Sequence, residues 1–441
     1  MNKKKLPATA VTLAIAIILV LIVRLSGMDK AVATLLILAM ACILFVTELI
    51  PLAYTACSVP VMLVLCECAT AAQGWAGLSN DSVVLFAAMF VIGGAMFRTG
   101  AAETVGKWVL SKAGTNTRRL VTYLMILVGV FSSVMSNTGA VAVMMPVCIG
   151  IADAARMERK KLLMPLAMMA SLGGTITMVG TPPNITVNTV YQQSGLGRFA
   201  FFEYAWIGIP LAIIGGLFLV IIYGKDTKAA DAEQYEIIVE PLTTNQKLSL
   251  AVLVVVVIAM ATEIIPISVA AVMGAIFCRA KRLISSSEAL EDVDWTTIFL
   301  FAGMLPMSSA LDRTGAGKMI ANAAVRIMGG SPSEFVAISV LFLIAGGLTQ
   351  VMSNTASCAL LAPIGLQIAE ALGASPAGVL MAIGIASSCA FMTPMATPPN
   401  TLVMGPGKIK FNEYLKIGTP LVLIGYVICI LVIPRVWPFF G

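Results

Sequence analysis

Apolar runs long enough to cross a bilayer as helices dominate the chain, among them Ala8–Leu25, Ala31–Leu49 and the segment around Leu248–Ala261. They lack the short alternating period of an outer-membrane barrel. The pattern predicts an all-α polytopic membrane protein with about 11 transmembrane helices. Within several runs, polar residues and prolines interrupt the apolar pattern, at Ser136-Asn137-Thr138, Gly180-Thr181-Pro182-Pro183-Asn184, Ser353-Asn354-Thr355 and Ala396-Thr397-Pro398-Pro399-Asn400.

These interruptions belong to an internal repeat. Thr47-Glu48-Leu49-Ile50-Pro51 recurs as Thr262-Glu263-Ile264-Ile265-Pro266, and Arg98-Thr99-Gly100-Ala101 as Arg313-Thr314-Gly315-Ala316. The Ser-Asn-Thr and Thr-Pro-Pro-Asn motifs recur in the same order at nearly the same separation. The expected organisation is an extra helix at 1–30, a first repeat at 31–224, a cytoplasmic linker at 225–247 and a second repeat at 248–441. Each repeat is expected to hold scaffold helices, a re-entrant hairpin (118–155; 334–371) and a broken crossing helix (162–191; 376–404).

Composition agrees with the pattern: 59% of the 441 residues are hydrophobic and 11% charged, too few polar groups to clothe a soluble domain. The distribution of basic residues sets an orientation. With Lys3–Lys5 cytoplasmic and crossings near 8–27, 31–50, 52–70 and 82–102, Lys107, Lys112, Arg118 and Arg119 also become cytoplasmic. Arg156, Arg159, Lys160 and Lys161 join them only if 120–155 turns back at its Ser-Asn-Thr. Continuing outward at 162–191, inward at 205–224 and through 412–436 leaves most of the 28 basic residues inside, the C-terminus outside, and the two repeats inverted. No small-residue cleavage site follows the basic start, so Leu6–Val23 reads as a retained helix of an inner (plasma) membrane protein.

The chemistry is constrained as much by absences. There is no histidine, which removes imidazole triads, ligands and relays, and most of the nine cysteines lie inside apolar runs. Neither interruption motif carries Asp or Glu, so an intramembrane enzyme lacks a nucleophile–base pair and a carboxylate proton relay lacks its carboxylate. Glu48 and Glu263 remain the only candidates for proton coupling, with a solvated interfacial place as the plainer reading; Arg98 and Arg313 read as interfacial anchors. Ser, Asn and Thr are N-cap residues, and each triplet precedes an apolar helical run. Proline in the Thr-Pro-Pro-Asn motifs favours the first turn of a fresh helix. Four half-helix N-termini meeting at mid-membrane would hold an anion without buried Lys or Arg. Carbonyls and hydroxyls at the same breaks suit Na⁺.

At these residues the sequence resembles the divalent anion:sodium symporter family, most specifically in the paired Ser-Asn-Thr motifs and in Ser387–Val403. The resemblance covers essentially the whole chain. It implies a homodimer in the lipid bilayer, with a fixed scaffold and a unit that moves as an elevator. It also implies substrate contacts at Ser136, Asn137, Thr138, Thr181, Pro182, Ser353, Asn354, Thr355, Thr397 and Pro398. The first implied sodium site uses Ser132, Ser136, Asn137 and the Gly180 carbonyl, and the second Thr349, Ser353, Asn354 and the Ala396 carbonyl.

The expected function is sodium-coupled symport of a small dicarboxylate-like anion such as succinate, malate or fumarate, with Na⁺ as coupling ion and no nucleic-acid partner. A sodium-independent dicarboxylate or tricarboxylate exchanger and a sulfate-type symporter are the alternatives on the same scaffold. A channel fits less well, because paired anion-capping sites suit occlusion better than a continuous pore.

Overall fold

The computed structural model describes residues 17–113, 116–225, 240–327, 329 and 332–439, and among them it is all-helical, with no strand. The basic start of the chain and most of the expected linker lie outside the described residues. After α1 (Ile17–Ser26), the first half comprises α2 (Lys30–Thr47), α3 (Leu52–Leu65), α4 (Ala71–Trp75) with a 3₁₀ turn, α5 (Asp81–Arg98) and α6 (Ala101–Ser111). It continues with α7 (Thr117–Val134), α8 (Asn137–Ala154), α9 (Lys160–Gly174), α10 (Pro182–Gln193) and α11 (Ala205–Tyr223). The second half answers helix for helix: α12 (Thr244–Thr262), α13 (Ile267–Ala280), α14 (Ser286–Glu291), α15 (Trp295–Thr314), α16 (Ala316–Ile327), α17 (Glu334–Leu348), α18 (Asn354–Leu372), α19 (Pro376–Ser388), α20 (Pro398–Met404) and α21 (Phe411–Val436). Eight helical stretches among the described residues are long and apolar enough to cross a membrane, and five shorter apolar helices accompany them.

The repeat extends to the helix ends. Glu48 and Glu263 cap α2 and α12 in the left-handed region (φ 46° and 51°), each just before a proline that starts the next helix. Gly100 and Gly315 take the same region (φ 73° and 78°) after α5 and α15, where a side chain would be strained. Thr70 and Ser285 both build capping boxes, with Gln73 and Glu288. The Ser285 amide and hydroxyl, and then Arg98, hold the Glu288 carboxyl below the usual range.

The halves are interleaved by packing. α3 lies on α15 and α5 on α13, so each half supplies one partner of both pairs. The approach is close: a Cβ on Gly77 would sit 1.9 Å from the Ala302 carbonyl oxygen, and one on Gly303 2.4 Å from that of Ala56. A second group forms around α9 and α19: α7, α8 and α11 pack on α9, α17, α18 and α21 on α19. Here too the halves exchange contacts, α10 lying on α18 and α19, and α20 on α8 and α9. Outward faces carry apolar stripes at helical spacing, such as Ile209, Ile213, Leu217 and Ile221 on α11, as a lipid-facing helix requires.

The apolar pattern missed α6 and α16, which are amphipathic and too short to span; each follows directly on the Arg-Thr-Gly motif. The crossing expected at 52–70 ends as a helix at Leu65, where Cys66 starts a turn. Replacing Gly77 by Ala is expected to force the 3₁₀ turn off α15 and destabilise the protein by about 1–3 kcal/mol. Thermal unfolding of the purified protein in detergent measures it.

Candidate functional site

Each interrupted apolar run resolves into two helices with a polar break between them. α7 ends at Val134 and α8 begins after Ser136, whose hydroxyl accepts from the Gly139 amide at 3.1 Å. In the second half Ser353 accepts from the Ala356 amide at 3.2 Å, so α18 starts the same way. α9 and α10 are separated by 175–181, and α19 and α20 by 389–397, with Pro182-Pro183 and Pro398-Pro399 opening the second helix of each pair.

The same hydrogen-bond pattern, made once in each half, secures the two breaks. Thr177 donates its hydroxyl to the Ser133 carbonyl, and Thr393 donates to that of Gln350 at 2.6 Å. The Asn184 amide donates to the Thr177 carbonyl at 2.8 Å, and Asn400 to that of Thr393 at 3.0 Å. Tyr204 and Tyr414, both buried, donate to the Asn184 and Asn400 carbonyls, each at 2.7 Å. Backbone freed from helix inside an apolar core is thereby re-partnered from the chain itself.

The four breaks border a single cavity of about 450 Å³, within the roughly 300–1,000 Å³ of small-molecule sites. Ser136, Asn137, Thr138, Pro182, Asn354, Thr355, Thr397 and Pro398 line it, together with the Gly180 backbone. Ser353 and Thr181, which the sequence also singled out, stand outside the lining. The rest of the wall comes from α5, the α14–α15 connection and the start of α15: Phe86, Met89, Phe90, Phe97, Asp292, Asp294 and Thr297. No Lys or Arg contributes. Arg98 sits at that end but is engaged by Asp292 (2.8 Å), Glu288 (3.1 Å) and Glu291 (3.3 Å).

Behind Asn137 the chemistry is unusual. The Ser132 hydroxyl and the Ala170 and Gly180 carbonyl oxygens all converge on one atom of its amide, at 2.5, 3.0 and 3.0 Å. Ser132 has one proton, and it also reaches the Ala170 carbonyl at 2.6 Å. With its amide nitrogen turned inward, Asn137 donates to this cluster and satisfies it. A Cβ on Gly174 would lie 2.4 Å from the Asn137 amide, so glycine keeps this space open. Further buried oxygens near the two breaks lack partners among the described residues: the Thr181, Ser171 and Ser387 hydroxyls and the Asn184 and Asn400 amide oxygens.

The second half is arranged differently. Thr349 donates to the Ser387 carbonyl at 2.7 Å, the Asn354 backbone amide meets the Ala396 carbonyl at 3.3 Å, and the Asn354 side-chain oxygen accepts from the Thr355 amide at 2.8 Å.

Similarity to known proteins shows the class to which the chain belongs. A family model described as citrate transporter matches residues 42–364 and 308–439. The chain belongs to the citrate transporter family. It is 30% identical to an uncharacterized transporter of Haemophilus influenzae over 92% of this chain and 90% of that one. It is 26% identical to the sodium-dependent dicarboxylate transporter SdcS of Staphylococcus saprophyticus, covering 92% and 86% of the two chains. The fold resembles that of the Alcanivorax borkumensis YdaH transporter (TM-score 0.60, 16% identity, 83% of this chain and 87% of that one). The chain is thus a polytopic membrane transporter of the divalent anion:sodium symporter kind.

The sequence reading missed the acidic wall, because Asp292 and Asp294 sit in a connection that looks like ordinary loop, and it missed the two tyrosines. For the tyrosines a signal existed. Gly197-Arg198, Glu203-Tyr204, Ile207-Gly208 and Pro210 recur in register as Gly407-Lys408, Glu413-Tyr414, Ile417-Gly418 and Pro420. Replacing Asn184 by Ala leaves the Thr177 carbonyl unpaired and is expected to cost about 1–3 kcal/mol of stability. A lowered thermal midpoint in detergent checks it.

Proposed function

We propose that the protein is a sodium-coupled symporter of C4-dicarboxylates such as succinate, malate or fumarate in the plasma membrane. The observation that carries this reading is the meeting of Ser136-Asn137-Thr138 and Asn354-Thr355 in one cavity without a basic side chain on its wall. A dianion there would set one carboxylate at Asn137-Thr138, where α8 begins, and the other at Asn354-Thr355, where α18 begins. Aligned amides and hydroxyls would hold each. Ser136, Ser353, Thr181, Pro182, Thr397 and Pro398 shape the tips and breaks around it.

Na⁺ enters as co-transported ion. Ser132, Asn137 and the Gly180 carbonyl, with Ser136 adjacent, would form the first site; the Ser132 and Gly180 oxygens lie against the Asn137 amide, and a cation there would turn that amide. Thr349, Ser353, Asn354 and the Ala396 carbonyl form the second, and occupation there would turn the Asn354 amide oxygen away from Thr355. Each Asn would then serve cation and anion at once, so neither binds well without the other. That is coupling. The name of the staphylococcal relative points the same way on both ion and substrate.

The halves are read as inverted repeats, with α7–α8 and α17–α18 as re-entrant hairpins entering from opposite sides. The α9 and α19 group moves as an elevator against the interleaved α3–α15 and α5–α13 scaffold of a homodimer. With the N-terminus cytoplasmic and the C-terminus external, the Arg98 and Asp292 end of the cavity faces the cytoplasm.

In proteoliposomes, an inward Na⁺ gradient is expected to drive succinate accumulation, and replacing Na⁺ by choline to abolish it. Exchange that ignores Na⁺ would identify an exchanger instead. Asn137→Ala and Asn354→Ala are each expected to reduce uptake at least 100-fold, roughly the loss of two charge-assisted hydrogen bonds, at unchanged membrane levels.

A further inference from the structure

The cavity lies against α5 from Phe86 to Phe97 and ends at Asp292 and Asp294, near Arg98. At the other end of α5, two contacts pin the α9 group to the scaffold. The buried hydroxyls of Ser82 and Thr189 meet at 2.6 Å; Thr189 spends its proton on the Ile185 carbonyl, so Ser82 is the donor. Arg198, in the connection after α10, pairs at 2.7 Å with Glu263, the left-handed cap of α12. The cavity thus reaches one end of α5, and these contacts fasten the other.

Both members of that ion pair have repeat mates. Glu263 of Thr-Glu-Ile-Ile-Pro corresponds to Glu48 of Thr-Glu-Leu-Ile-Pro, and both residues adopt the same left-handed cap. Arg198 of Gly-Arg corresponds to Lys408 of Gly-Lys, each followed in register by Glu-Tyr. The mate pair, Glu48 with Lys408, is not made. Lys408 instead borders an open cavity of about 510 Å³ with Glu158, Arg159 and Lys160, and Glu48 has no ion pair among the described residues.

We propose that Arg198–Glu263 and Lys408–Glu48 are alternating latches, each closing one end of the site while the other end is open. The proposal rests on the carrier reading above. In a repeat architecture, the arrangement one half holds in one state is available to the other half in the opposite state. The Arg198–Glu263 pair is partly exposed, with 65% and 30% of the side chains accessible, so the latches bias the two states by a few-fold and do not lock them. Charge at these positions therefore sets the distribution between open ends without touching the substrate.

The test is cross-linking in vesicles, with Cys42 and Cys57 replaced by Ser and the other native cysteines buried. R198C/E263C and E48C/K408C are each treated with a short bifunctional maleimide, and a variant carrying all four substitutions is read by intact mass. The expected result is that both pairs cross-link separately, while no single molecule of the fourfold variant carries both links. An E48C/K408C pair that stays unlinked where R198C/E263C links, or molecules holding both links, overturns the proposal. Cross-linking reads distance alone, so failure of succinate uptake would sink the transport reading without deciding this one.

Discussion

A helix interrupted inside an apolar core must find new partners for the peptide groups it frees, and the whole molecule is arranged around meeting that requirement. The breaks at 175–181 and 389–397 are satisfied by Thr177 and Thr393, by Asn184 and Asn400, and by tyrosines brought in from α11 and α21. Because those tyrosines arrive on neighbouring helices, the unwound segments are held from outside as well as from within their own strand of sequence. Polar backbone can then stand open to a cavity without collapsing into regular helix.

A binding site in this cavity would borrow its charge. A buried Lys or Arg would hold a dianion at high desolvation cost and release it slowly. Helix N-termini at Ser136 and Ser353 offer partial positive charge that varies little with pH. Behind that site the Asn137 amide nitrogen satisfies the Ser132, Ala170 and Gly180 oxygens. Asp292 and Asp294 on the cavity wall would repel a dianion, less so where Arg98 pairs with Asp292.

Much of this was legible in the chain. The two Ser-Asn-Thr triplets and the two Thr-Pro-Pro-Asn motifs mark the breaks because proline and N-cap residues have few other reasons to recur inside apolar runs. α7–α8 run from Thr117 to Ala154 and α17–α18 from Glu334 to Leu372, where hairpins were expected at 118–155 and 334–371. What stayed hidden depends on contacts between distant segments. Asp292 gains its position only because α14 packs on α5, and the interleaving of α3 with α15 has no local signature. The amphipathic α6 and α16 escaped a search tuned to spanning length. The different setting of Asn354, whose amide turns to Thr355, is a matter of side-chain rotation that identical motifs do not reveal.

The most direct measurement is a density map of the protein in lipid, recorded with succinate and Na⁺ and again with succinate in choline. The account requires density bridging Asn137-Thr138 and Asn354-Thr355 in the first map and its loss in the second. Succinate density seated on Arg98 or another basic side chain, or unchanged without Na⁺, would contradict it.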